Sequence, residues 1–185
     1  MKKKLKKRSK NFPYSNHSVN LREEILKEHS KAQTQKIIDW VGDSQQRFDE
    51  LVHLFLGDEY RVTQRAGWPL SYIAVEHPEM VKKYLPAFVK LLGNTKLHRA
   101  VRRNVVRLLQ LVEIPRKLHG EVMNYCFDFI ADVNEAAAVK AFSLTILENL
   151  CQQYPDIKPE IKTIIRERWD YETPAFHARA KRLLK

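Results

Sequence analysis

Four basic residues recur along this chain at nearly constant intervals. Arg65 in QRAGW, Arg102 in VRRNV, Lys140 in VKAFS and Arg179 in ARAKR stand 37, 38 and 39 residues apart. A period near forty residues constrains the fold more than any other feature. A unit of that length has room for one pair of helices, cannot bury its own apolar face, and must stack on its neighbours.

From Leu21 onward the apolar residues are spaced as in helices, and no stretch alternates with period two for long enough to predict a strand. Pro78, Pro115, Pro155 and Pro174 each stand where a helix would start, a place at which the missing N–H costs nothing. The pattern predicts helices over Leu21 to Val41, Ser44 to Leu56, Tyr60 to Glu76, Pro78 to Leu92, Lys96 to Val112, Pro115 to Ala131, Glu135 to Tyr154, Pro155 to Trp169 and Pro174 to Leu184. Their short connections force neighbours antiparallel. The fold class is therefore all-α: a right-handed α-solenoid of about four helix pairs plus an N-terminal helix.

The chain's 185 residues suit one domain, placed over residues 21–185. Of its formal charge of +11, seven positive charges come from Lys2, Lys3, Lys4, Lys6, Lys7, Arg8 and Lys10. Such a block buries no apolar surface, so residues 1–20 are expected to form a disordered basic arm, able to touch phosphates or simply to aid solubility. The two cysteines, Cys126 and Cys151, sit among apolar residues, as thiols do in a reducing compartment. No apolar run has the length of a membrane span, and the polar SKNFPYSNHSVN after the basic start is no signal-peptide core. These features predict a cytoplasmic protein that uses no membrane.

The stretch YLPAFVKLLGNTKLHRAVRRNVVRLLQLV, Tyr84 to Val112, resembles a repeat of the HEAT family. Leu85-Pro86, Leu91-Leu92, Asn94, Val101-Arg102 and Leu108-Leu109 stand where that family carries its LP, LL, Asp/Asn, VR and apolar positions. DFIADVNEAAAVKAFSLTIL repeats the pattern with Asp132, Val139 and Lys140. Two extra residues separate Asn94 from Val101 relative to the commonest spacing. The chain is also similar to short bacterial HEAT-like proteins, some of which carry an adenylosuccinate lyase label, although the S-S-x-M-P-x-K type of loop of those lyases is absent from it. The resemblance implies a structural ladder between units, with Asn94, Asp132 and Asp170 near the inter-helix turns partnering Arg102, Lys140 and Arg179.

The segment Lys96 to Val112 carries more arginine than solubility requires. Its Leu97, Val101, Asn104, Val105, Leu108, Leu109 and Val112 fall on one arc, with Arg99, Arg103, Val106 and Gln110 opposite and Arg102 and Arg107 on the flanks. Arginine suits bidentate contact with carboxylate or phosphate. Arg99, Arg103 and Arg107, with Lys181 and Arg182 in the last segment, are the candidate anion- or nucleic-acid-binding residues. In the segment Glu135 to Tyr154 apolar residues cover nearly every direction, so it is expected to be the most buried helix, with Phe142 and Leu147 in the core.

Nothing in the sequence assembles a catalytic or metal site. The seven histidines lack a His-x-x-x-His pair, the two cysteines make no Cys-x-x-Cys, and five glycines supply no phosphate-cradling loop. No cofactor or metal is expected. The HEAT-like alkylpurine DNA glycosylases suggest one enzyme reading, with Trp40, Trp68 and Trp169 as the lesion-facing aromatics and Asp39 or Asp43 as the acid. Trp68 also stands at a core-like position. The sequence favours a non-catalytic binding module with a protein or peptide partner, ahead of nucleic acid and then of the glycosylase.

Overall fold

The structure, a computed structural model, describes residues 20–57 and 59–185. Except for Asn20, the basic arm falls outside them. The helices are α1 Leu21–Lys27, α2 Lys31–Val41, α3 Gln45–Gly57, α4 Tyr60–Glu76, α5 Pro78–Val81, α6 Leu85–Leu92, α7 Arg99–Leu109, α8 His119–Ala131, α9 Ala137–Leu150, α10 Lys158–Arg168 and α11 Pro174–Leu184. There is no strand among the described residues. Four helix pairs stack in order: α3 with α4, α5 and α6 with α7, α8 with α9, and α10 with α11. The short helices α1 and α2 pack on α4 at one end.

Two expected helices are each split. Leu21 to Val41 breaks at Glu28, which is extended, and Ser30 starts α2 by accepting a hydrogen bond from the Gln33 N–H through Oγ. A serine that caps the next helix competes with continuation of the last one. Pro78 to Leu92 becomes α5, a tight turn over Lys82–Tyr84, and α6. Pro86 explains the break, since it has no N–H to give Lys82 and its ring crowds that carbonyl. Pro69, by contrast, stands inside α4, which continues through it.

The core is one contiguous apolar cluster running through all four pairs, from Phe48 and Phe55 by way of Phe88, Leu108 and Leu144 to Ile165 and Phe176. At its centre α4 and α7 approach closely. A Cβ at Gly67 would lie 2.3 Å from Asn104 Nδ2, and that amide, buried, donates to the Gln64 carbonyl at 3.1 Å. Only glycine admits the amide there.

Charged pairs connect successive units. Arg102 Nη1 donates to Glu135 Oε2 at 2.6 Å, and the guanidinium lies 5.3 Å from the Phe129 ring centroid. Lys140 Nζ donates to Glu172 Oε1 at 2.6 Å with the two side chains 3% and 4% exposed, and Arg168 Nη2 joins the same oxygen at 3.0 Å. In both cases a basic residue near the start of one second helix meets an acid just before the next second helix, 33 or 32 residues on. Arg65 turns the other way, to the Ile25 and Leu26 carbonyls at 3.4 and 2.8 Å, and so holds α1 by its C-terminal end. Arg179 Nη1 reaches back to Thr145 Oγ1 at 2.8 Å.

The acids in these pairs are therefore Glu135 and Glu172, where the sequence pointed to turn residues. Asn94 and Asp132 use their side-chain oxygens on their own turns, accepting from the Lys96 N–H at 2.9 Å and the Asn134 N–H at 2.8 Å. Asp170 is exposed in the turn Trp169–Tyr171. A short side chain that closes its own turn in solvent has no reach left for the neighbouring unit.

Removing one partner of a buried pair strands the other charge. Glu172→Ala should lower the unfolding free energy by about 3–5 kcal/mol in urea titrations, and adding Lys140→Met should restore part of it. Burial pushes the Cys126 thiol up to about 12, so at pH 8 it stays protonated. A thiol-titrating disulfide reagent should leave Cys126 unmodified until denaturant opens the fold.

Candidate functional site

The second helices form the inner layer. α4, α7, α9 and α11 pack on one another along their lengths, whereas the first helices of successive pairs touch far less. A two-layer stack curves toward the more closely packed layer, so the solvent-facing stripes of these four helices line the concave side. The stripes are Arg61, Trp68, Tyr72 and Val75 on α4, Arg99, Arg103 and Arg107 on α7 with Gln110 at its C-terminal cap, Ala138, Phe142 and Thr145 on α9, and Ala178 and Arg182 on α11.

Charge is divided between the layers. The second helices hold ten basic residues, four of them in α7, and two acids, Glu76 and Glu148, while Glu135 and Glu172 just before α9 and α11 take up Arg102 and Lys140. Among the first helices, acids such as Asp49, Glu50, Glu121, Asp128, Glu160 and Glu167 offset the bases of α3, α8 and α10, whereas α5, α6 and the turn between them carry Lys82, Lys83 and Lys90 against Glu79. The concave side is thus the electropositive one.

The candidate basic residues do not all stand together. Arg99 and Arg103 are exposed and make no hydrogen bond or ion pair among the described residues. Arg107 is half-buried, its guanidinium 5.9 Å from the Tyr72 ring centroid on α4. Arg182 is committed to Glu148 at 2.6 Å. Lys181 lies about 100° round α11 from Arg182, on the flank of His177, whose ring stacks on Trp169. Open positive charge therefore stands as a line on α7, with Arg61 exposed at the start of α4 and making no hydrogen bond or ion pair among the described residues. Val106, expected beside Arg103 on the outer arc, is fully buried, because α7 has a packed neighbour on each side.

Aromatic rings border that line. Trp68 is half-buried on the solvent-facing stripe, away from the core position expected of it, and stacks on His29 at 4.9 Å. Tyr72 is 47% exposed. Phe142, expected in the core, is half-buried with the Arg179 guanidinium 5.8 Å from its centroid, while Leu147 is fully buried as expected. His29 and Tyr72 were not foreseen as site residues. The helical stripe through Arg61, Arg65, Trp68 and Tyr72 was the available signal for Tyr72, whereas His29 arrives from α1–α2 by a tertiary contact that no local pattern records.

A family model for the HEAT repeat domain matches residues 21–185. The chain belongs to the HEAT repeat family. No curated protein and no solved structure matches it. In this HEAT repeat protein the aromatics of the glycosylase reading are not gathered: Trp40 is near the end of α2 under the Arg47 guanidinium, Trp68 is in mid-α4, and Trp169 is in the turn before α11. Asp39 accepts from Gln35 Nε2 at 2.8 Å on the surface of α2. A half-open hollow of about 160 Å³ lies beside Leu109, Ile114, His119 and Ile146. Both His119 ring nitrogens are engaged there, with the Ile114 carbonyl at 2.7 Å and the Tyr154 hydroxyl at 3.1 Å, so the ring offers nothing to a ligand. Among the described residues no group of histidine, cysteine or acid side chains could hold a metal ion, and no helix is long and apolar enough to cross a membrane.

Chemically, the α7 stripe offers guanidinium forks at successive i, i+4 positions, about 6 Å apart along the axis, open at Arg99 and Arg103 and laid against the Tyr72 ring at Arg107. Each can take a carboxylate or phosphate oxygen pair. Replacing Arg99, Arg103 and Arg107 together by glutamine should leave stability within about 1 kcal/mol in chemical denaturation, since Arg99 and Arg103 have no partner among the described residues and Arg107 meets a ring that is itself half exposed. Arg102→Gln should cost about 1–3 kcal/mol, because Glu135, its side chain 2% exposed, loses its partner.

Proposed function

We propose that this HEAT repeat protein is a non-catalytic scaffold that binds a protein partner across its concave face. The observation that carries the proposal is the composition of that face: open arginines on α7, bordered by Trp68 and Tyr72 on one side and Phe142 on the other. Arginine, tryptophan and tyrosine are the side chains that most often dominate protein interfaces, and stacked helix pairs offer an extended surface for a peptide or a helix. The same proposal places the protein in the cytoplasm, a reducing compartment in which Cys126 and Cys151 remain thiols. Nucleic acid is the second reading, favoured by Arg99 and Arg103, which have no acid partner among the described residues.

Site-specific photo-cross-linking tests the proposal. A benzophenone side chain at Tyr72, on the concave face, should give protein adducts in cell extract that survive nuclease. The same group at Asn124, exposed on α8 in the outer layer, should give none. Equal adducts from the two positions would remove the concave face as the binding surface, and adducts lost on nuclease treatment would favour nucleic acid.

A further inference from the structure

We infer that the partner segment is an acidic amphipathic α-helix lying along α7, its carboxylates at every fourth residue against Arg99, Arg103 and Arg107; this rests on the protein-binding reading above. The three guanidinium groups belong to one helix at i, i+4 and i+8, so they step by about 6 Å. A partner helix laid alongside presents one stripe of residues with the same step. Three arginines in a row therefore match three glutamates or aspartates in a row, each pair charge-assisted and open to bidentate contact.

The flanks decide between this ligand and a uniform polyanion. On the α4 side the arginine line is bordered by Trp68 and Tyr72, with Arg61 at the start of that helix, and on the α9 side by the uncharged Ala138, Phe142 and Thr145. Positive charge there is a line with uncharged, largely aromatic or aliphatic surface along most of its length, to which the α4 wall adds the open cation Arg61. An acidic helix with apolar residues beside its acidic stripe covers all three strips at once. A phosphodiester chain gains from cations on both walls, yet the α9 wall offers Glu148, and Arg182 is already spent on that carboxylate at 2.6 Å. The dimensions agree: helices in contact lie about 8–10 Å apart, so α4 to α9 across α7 spans nearly twice that, and a helix is about 10–12 Å wide with its side chains. On a concave arc the middle of three helices is the floor, and α7 is that floor.

The test uses the full chain and two labelled synthetic peptides of identical composition in fluorescence anisotropy titrations. One carries glutamate at three successive i, i+4 positions with leucine beside them. The other spreads the same glutamates round the helix. The first should bind at least about tenfold more tightly, and Arg99→Gln with Arg103→Gln should reduce its affinity by about tenfold while leaving the far-UV spectrum of the protein unchanged. A labelled oligothymidylate at the same salt should bind more weakly than the first peptide. Equal affinity for the two peptides, indifference to the double substitution, or tighter binding of the oligothymidylate would each overturn the inference. If neither peptide binds while Tyr72 still cross-links to proteins, the helical ligand is wrong and the scaffold reading survives. Loss of those cross-links as well would remove both.

Discussion

The contact between Lys140 and Glu172 sets the terms for the rest of the molecule. An ammonium group at 3% exposure is tolerable only because a carboxylate meets it at 2.6 Å, and the two come from different helix pairs. Glu172 also takes Arg168 of its own unit, but the Lys140 ammonium finds its carboxylate in the next one, so stacking is required by electrostatics as well as by apolar burial. Arg102 and Glu135 repeat the arrangement one unit earlier. The pairs sit at the starts of second helices, and so draw the second-helix layer together and place the curvature on that side.

The same arrangement sorts the arginines of α7. Arg102 is turned toward α9 and used in the stack, while Arg99 and Arg103, three residues before it and one after, are rotated away from that contact into solvent. Because α7 is packed by α4 on one side and α9 on the other, its free arc is narrow, and Val106 falls inside the buried part. Gly67 and Asn104 tighten the α4 side further. A narrow arc of that kind can display little more than one line of side chains, which is why α7 presents its open positive charge as a line.

The repeat architecture was legible in the sequence because its causes are periodic: a basic residue every thirty-seven to thirty-nine positions, and prolines at helix starts. The split of the N-terminal helix at Glu28 and of the segment around Pro86 was harder to read, since apolar spacing carried on through both breaks while a cap and a missing N–H ended the helices. The ladder acids were hidden for a different reason. Asp132 and Asp170 have the expected residue type near the expected turn, but Glu135 and Glu172 stand next to the second helix and have the longer reach. Their near-equal offsets from Arg102 and Lys140 were the overlooked signal. The aromatic border was least legible, as His29 meets Trp68 only in the folded chain.

Position in the repeat does not by itself say what a basic residue does. Arg65, Arg102, Lys140 and Arg179 occupy one register, yet their partners are two backbone carbonyls, two buried carboxylates and a threonine hydroxyl. What they share is that each finds an acceptor in a neighbouring element, although Arg102 Nε is buried with no hydrogen-bond partner among the described residues. Arg99 and Arg103 lie only a few residues away and find none among the described residues. Holding a cation in solvent costs little, so the fold neither needs these two nor is harmed by them. Their charge remains open to a ligand, whereas the register residues could serve a ligand only by releasing the stack.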